Sequence, residues 1–126
     1  MSDDIAVVIT TGGTIVMRDE GEGAVPALDG EGLLGESATS VPHLDVHSEP
    51  FANVPSIHLT LEMLWALRNR VRHHLSKPAV CGVVITHGTD TLAETAYLLD
   101  LTLPSPKPVV VTGAMRTTSE AGYDGH

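Results

Sequence analysis

The sequence predicts an α/β fold, a mainly parallel open sheet flanked by helices. Three observations carry the prediction. Short unbroken runs of β-branched and apolar residues recur along the chain, the habit of strands buried on both faces. Segments of helical period separate the later runs. The resulting order is strand, loop, strand, helix, strand, helix, strand. Right-handed crossovers build such an alternation into a parallel sheet.

The elements follow in order. Ile5 to Thr10 reads Ile-Ala-Val-Val-Ile-Thr and stops at Gly12-Gly13. Residues 18–40 are rich in Gly, Asp, Glu, Ser and Thr and read as a loop, with a short helical turn around Leu28–Leu34. Leu44 to Glu49 alternates weakly, as a second strand would, and Pro55-Ser56 breaks the chain. From Thr60 the period becomes helical. Leu61, Leu64, Val71 and Leu75 fall on one side, Trp65 and Leu67 flank them, and Arg68, Arg70, Arg72 and Lys77 take the other positions. Lys77-Pro78 ends that helix. Ala79 to Thr86 is another buried-strand run, with Cys81 as a small core residue. Thr91 to Glu94 has the form of a capping box opening a helix from Leu92 to about Leu101. Three prolines, Pro104, Pro106 and Pro108, stiffen the connection to the strand Val109–Thr112. Residues 117–126 form a loop by composition.

Composition narrows the function classes. A chain of 126 residues supports one domain with a core, not two. Its 42% apolar content excludes a disordered acidic tail. Seven Lys and Arg stand against sixteen Asp and Glu, a net charge of −9, which argues against a nucleic-acid partner. One Cys excludes an intrachain disulfide and a Cys-based zinc cluster. No stretch of ~18 apolar residues is present to span a membrane. The Met1-Ser2-Asp3-Asp4 start is acidic where a secretory signal is basic, so a cytoplasmic protein is expected. The seven His do not read as a metal site. His73 and His74 are adjacent and diverge on a helix, reading as a solvated face, and His43 and His47 fall on a strand and a loop.

In open parallel sheets ligands bind beyond the carboxyl ends of the strands. The chemistry-bearing residues fall there: Thr10-Thr11-Gly12-Gly13-Thr14, then His87-Gly88-Thr89-Asp90-Thr91, then Gly113-Ala114-Met115-Arg116. A Thr hydroxyl needs activation to act as a nucleophile. Neighbouring glycines leave amides free for a developing oxyanion. Asp90 could accept from a substrate ammonium or take part in proton transfer as a catalytic residue. Two plainer readings stand beside these: Gly12-Gly13 as a tight turn, and Asp90 and Thr91 as capping residues. Phosphate or dinucleotide binding fits poorly, because the first loop lacks a P-loop Lys and a third Gly.

Thr10 to Ile15 together with Thr86 to Thr91 resembles the paired signature of the bacterial-type L-asparaginases and glutaminase-asparaginases. Glu94-Thr95-Ala96-Tyr97, Leu99-Asp100-Leu101, Lys107 to Val110 and Gly113 to Arg116 extend the resemblance from about Ile5 to Gly125. It implies hydrolysis of the side-chain amide of asparagine, and often glutamine, to the acid and ammonia. The route is a Thr nucleophile and an acyl-enzyme, with no metal or organic cofactor. The implied nucleophile is Thr11, with Thr89 as the second hydroxyl. Asp90 would bind the α-ammonium group, Ser56 the carboxylate, and Gly88 would supply backbone contacts. Ser56 also reads as a turn leading into the helix. His87 would pack or hydrogen-bond behind the Thr89 loop. The acidic run Asp19, Glu20, Glu22, Asp29 and Glu31 falls where the family has its lid.

The sequence also departs from the family pattern. Residues 12–40 hold no Tyr, and Ile57 follows Ser56 where many members have Gln. The family's catalytic Lys lies downstream of the Gly113–Arg116 segment and has no match here. Residues 1–126 are therefore expected to be a partial amino-terminal domain, inactive alone, whose full-length form is a homo-oligomer (dimer or tetramer) with sites completed between subunits. The alternative is a catalytically dead truncated product or a small-ligand-binding remnant.

Overall fold

Strand β1 (Asp4–Thr10) opens the fold, followed by β2 (Met17–Asp19), β3 (Ala24–Pro26) and β4 (Leu44–Pro50). A 3₁₀ turn at Ser56–His58 leads to α1 (Leu61–Leu75), then β5 (Val80–Thr86), α2 (Leu92–Thr102) and β6 (Val109–Thr112). The computed structural model describes residues 4–13, 41–116 and 119–125, with the backbone of 17–19 and 24–26. The expected helical turn at Leu28–Leu34 lies outside the described residues.

Four strands form one parallel sheet in the order β4-β1-β5-β6. The anticipated α/β architecture is what the apolar runs build. Val7, Ile9, Val83 and Ile85 point to one face and meet Leu67, Val71 and Leu75 of α1 and Leu99 of α2. Each such side chain, fully buried, contributes about 1.5–3 kcal/mol of transfer free energy. Both helices pack on this face because β4→β5 and β5→β6 step the same way across the sheet, and right-handed crossovers in one direction share a side.

Local details depart from the expectations in instructive ways. β2 and β3 pair as an antiparallel ribbon inside the segment read as loop; three residues per strand are too few to show a period. The buried stripe of α1 is Leu67, Val71, His74 and Leu75, while Leu61 is 73% exposed, so the true core phase is rotated from the one expected. Cys81 is exposed rather than core. It falls where the β1–β5 register shifts between Ile5 and Ala6, leaving Cys81 as the extra residue between Val80 and Gly82. Thr60 caps α1 by accepting from the Met63 amide at 3.2 Å. At the other end Lys107 Nζ donates to the carbonyl of Leu75, the last residue of the helix (3.0 Å), and to that of Lys77 (2.7 Å), which also accepts from the Val80 amide (3.1 Å).

The outer strand β4 turns a polar row, Asp45, His47 and Glu49, toward the α1 side, in register with Ile5, Val7 and Ile9. Glu49 bonds Arg70, and its Oε2 lies 2.6 Å from His74 Nε2. His74 is therefore buried against a carboxylate, not part of a solvated face. Burial pushes the Glu49 carboxyl up, but the hydrogen bonds and charges of His74 and Arg70 outweigh it and hold the group below its ordinary value. A depressed carboxyl stabilises the fold above its unfolded pKa, and that contribution fades as pH falls through the folded one. Glu49→Gln is expected to cost about 1–2 kcal/mol at pH 7. The gap should close in melting curves taken below the ordinary glutamate range; a gap constant down to strongly acidic pH would refute the ion-pair account.

Candidate active site at the carboxyl ends of the strands

Three loops leave the carboxyl ends of β1, β5 and β6, and close backbone approaches join them. Thr10 O accepts from the amides of Phe51 (2.9 Å) and Ala52 (3.2 Å), and Thr11 O from Val54 N (3.1 Å). The segment after β4 is thereby laid along the first loop. Gly12 and Gly13 turn there with φ of +105° and +89°. A Cβ on Gly12 would lie 2.6 Å from Val54 N, and one on Gly13 would lie 2.6 Å from Gly88 Cα. Gly88 in turn sits so close to Ser56 that a Cβ would lie 2.8 Å from its Oγ. From the third loop, a Cβ on Gly113 would come within 3.3 Å of Thr89 Cγ2.

The expected site residues occupy this junction in different states. Thr89 and Asp90 are exposed at its open end. Gly88 is buried between them and Ser56. Ser56 is also buried; its Oγ accepts from Thr91 N (3.3 Å), which leaves its own proton to donate. Thr91 Oγ1 donates to Ser56 O (3.3 Å) instead of capping α2, whose start has no side-chain cap. The capping-box reading of Thr91 and Glu94 thus gives way to a tether between two loops. Thr11 is fully buried, and its hydroxyl donates to Thr86 O at 2.7 Å. In this state the hydroxyl is not presented to a ligand. Thr14, the loop's next hydroxyl, and Ile15 lie outside the described residues.

Behind the junction His87 is fully buried. Its backbone amide donates to Thr112 O at 2.9 Å, its Nδ1 lies 2.6 Å from Gly88 O, and its Nε2 lies 2.8 Å from Thr95 Oγ1. Beyond the third loop, Asp124 accepts from the amides of Met115 (3.2 Å) and Arg116 (3.0 Å). Those two bonds hold its carboxyl below the usual value and close the turn after β6. Sequence reasoning missed this clamp; an Asp eight residues from the amide it accepts carries no local signal. Among the described residues no group of three or more His, Cys, Asp or Glu is placed to hold a metal ion, and no helix is long and apolar enough to cross a membrane.

A parallel α/β sheet whose loops gather small, hydroxyl and acidic residues beyond its strand ends defines the class of small-ligand sites built at such edges. A family model described as "Asparaginase, N-terminal" matches residues 5–126. The chain belongs to the asparaginase family, over that family's N-terminal domain. It is 39% identical over 121 residues to an L-asparaginase of Bacillus licheniformis, covering 94% of this chain and 37% of that one. A glutaminase-asparaginase of Acinetobacter glutaminasificans is 44% identical over 72 residues, 57% of this chain and 22% of that one. The crystal structure of a probable cytoplasmic L-asparaginase from Campylobacter jejuni superposes with a TM-score of 0.80 at 36% identity. That match covers 97% of this chain and 36% of the other. The chain spans about a third of the length of the full-coverage relatives it matches.

Proposed function

We propose that this chain carries the substrate-binding and nucleophile loops of an amidohydrolase acting on the side-chain amide of L-asparagine. The observation that carries the reading is the junction itself, where Gly88, which precedes the exposed Thr89 and Asp90, packs between Ser56 and Gly13. Asp90 supplies the anion that an α-ammonium group requires, and the Ser56 hydroxyl a donor for the α-carboxylate. A threonine oxygen of the first loop attacks the amide carbon, its proton passing to the departing nitrogen, so that a C–O bond forms and the C–N bond breaks. Ammonia leaves. Water then opens the ester, returning the hydroxyl and releasing aspartate. Thr89, at the mouth, serves the proton transfer or the developing oxyanion.

Thr11 takes the attacking role only if its hydroxyl leaves Thr86 O. Its commitment to a carbonyl in a dry site leaves Thr14 as the other candidate hydroxyl of that loop for the attack. Ammonia release from L-asparagine by a full-length asparaginase of the family carrying residues 1–126 in place of its own, with L-glutamine as comparison, tests both points. Thr89→Val is expected to lose about 10²–10³-fold in rate. If Thr14 attacks, Thr14→Val should abolish turnover without lowering the melting temperature, whereas Thr11→Val should cost about 1 kcal/mol of stability for the buried hydrogen bond. If Thr11→Val abolishes turnover at unchanged stability while Thr14→Val does not, the attack belongs to Thr11. If L-aspartate fails to bind and neither amide is hydrolysed, a catalytically dead remnant is the better description.

A further inference from the structure

The buried imidazole of His87 has no part in that chemistry, yet both of its ring nitrogens are engaged. A carbonyl oxygen only accepts, so at 2.6 Å from Gly88 O it is Nδ1 that carries the proton. In a ring protonated there, Nε2 is an acceptor, and the Thr95 hydroxyl 2.8 Å away donates to it. Thr95 itself is buried in α2, so its hydroxyl, which can donate or accept, completes from the helix the pairing whose tautomer Gly88 O sets. The chain has no cis peptide among the described residues. In a trans peptide the C=O and the following N–H point in opposite directions. Holding Gly88 O inward on the imidazole therefore turns the Thr89 amide, and with it the exposed Thr89–Asp90 step, toward the open end of the sheet.

We infer that His87 is a positioning residue: as the Nδ1–H tautomer held between Gly88 O and the Thr95 hydroxyl, it sets the orientation of the Gly88–Thr89 peptide and so of the two exposed groups that meet the substrate. The inference rests on the reading of Thr89 and Asp90 as substrate contacts, but its first measurement does not. Long-range proton–nitrogen spectra of the 126-residue chain should show the His87 ring protonated at Nδ1 and bare at Nε2, with Thr95→Val moving mainly the Nε2 signal. A proton on Nε2 with none on Nδ1 overturns the inference. Asparagine places an amide nitrogen near the position of Nδ1, so His87→Asn should keep the Thr89 amide signal near its native position, while His87→Leu displaces it. L-Aspartate is the probe for the second measurement. His87→Leu should weaken its binding about tenfold and His87→Asn less than threefold, compared at temperatures equally far below each variant's melting point. Equal losses in Asn and Leu variants of equal stability would reduce His87 to a filler of volume and overturn the inference. If the native chain does not bind L-aspartate, the reading of Thr89 and Asp90 fails instead, and the ring tautomer and the Thr89 signal still decide the role of His87.

Discussion

Gly12→Ala is expected to destabilise the chain by about 2–6 kcal/mol, the sum of two separate costs. An L-residue forced to φ +105° carries backbone strain of about 1–3 kcal/mol. The new Cβ would also lie 2.6 Å from Val54 N and 2.8 Å from Val54 O, atoms of a backbone held by its own bond to Thr11 O. Backbone cannot swing aside as a side-chain tip can, so the loop must part from the segment after β4, at a further cost of about 1–3 kcal/mol. Urea unfolding of the two proteins measures the sum. A midpoint within experimental error of the native one would mean that the first loop does not dock on Val54. Because the same docking aligns the first loop with Ser56, ligand binding should fall even in conditions where the variant remains folded.

Leu67→Ala is the second large effect, and it acts through the opposite failure, too little matter rather than too much. Leu67 is fully buried at the centre of the α1 stripe, among strand residues that cannot collapse inward without breaking sheet register. Truncation should cost about 3–5 kcal/mol, the upper part of the range for buried leucines. Leu67→Met, which keeps volume, should stay under about 1.5 kcal/mol. Removing an outward residue of the same helix, as in Leu61→Ala, should change stability by less than about 0.5 kcal/mol, since Leu61 is 73% exposed. If Leu61→Ala were instead the costly change, the helix would bury the face that its hydrophobic spacing first suggested.

That contrast shows what could be read from residues alone. Strands β1, β5 and β6 were legible as short unbroken β-branched runs bounded by Gly or Pro, whereas β4 showed only a weak alternation. The helix at Thr60 was legible as a helix, but its phase was not. Leu61 and Leu64 have the spacing of a core stripe with Val71 and Leu75, and only the burial of Leu67 and His74 says which way the cylinder is turned. His74 looked like surface because its partner, Glu49, is 25 residues away on another element. Site legibility followed the same rule. Gly12, Thr89 and Asp90 were gathered from their place after strand ends, which topology dictates, whereas Ser56 and the contact role of Gly88 came only from the family resemblance. The job of Thr91 was misread because a tether to Ser56 and a helix cap ask for the same residue type. The burial of the Thr11 hydroxyl depends on how the first loop folds back over Thr86, which no local pattern encodes.

The two hydrogen bonds between Ser56 and Thr91 have one more consequence. They join the residue proposed to meet a carboxylate to the neighbour of the residue proposed to meet an ammonium, so those two contacts keep a constant separation. On the proposed reading the site is a fixed gauge for the α-carbon end of an amino acid. Dipeptides, amines without a carboxylate and β-amino acids should fail at the gauge whatever their side chain.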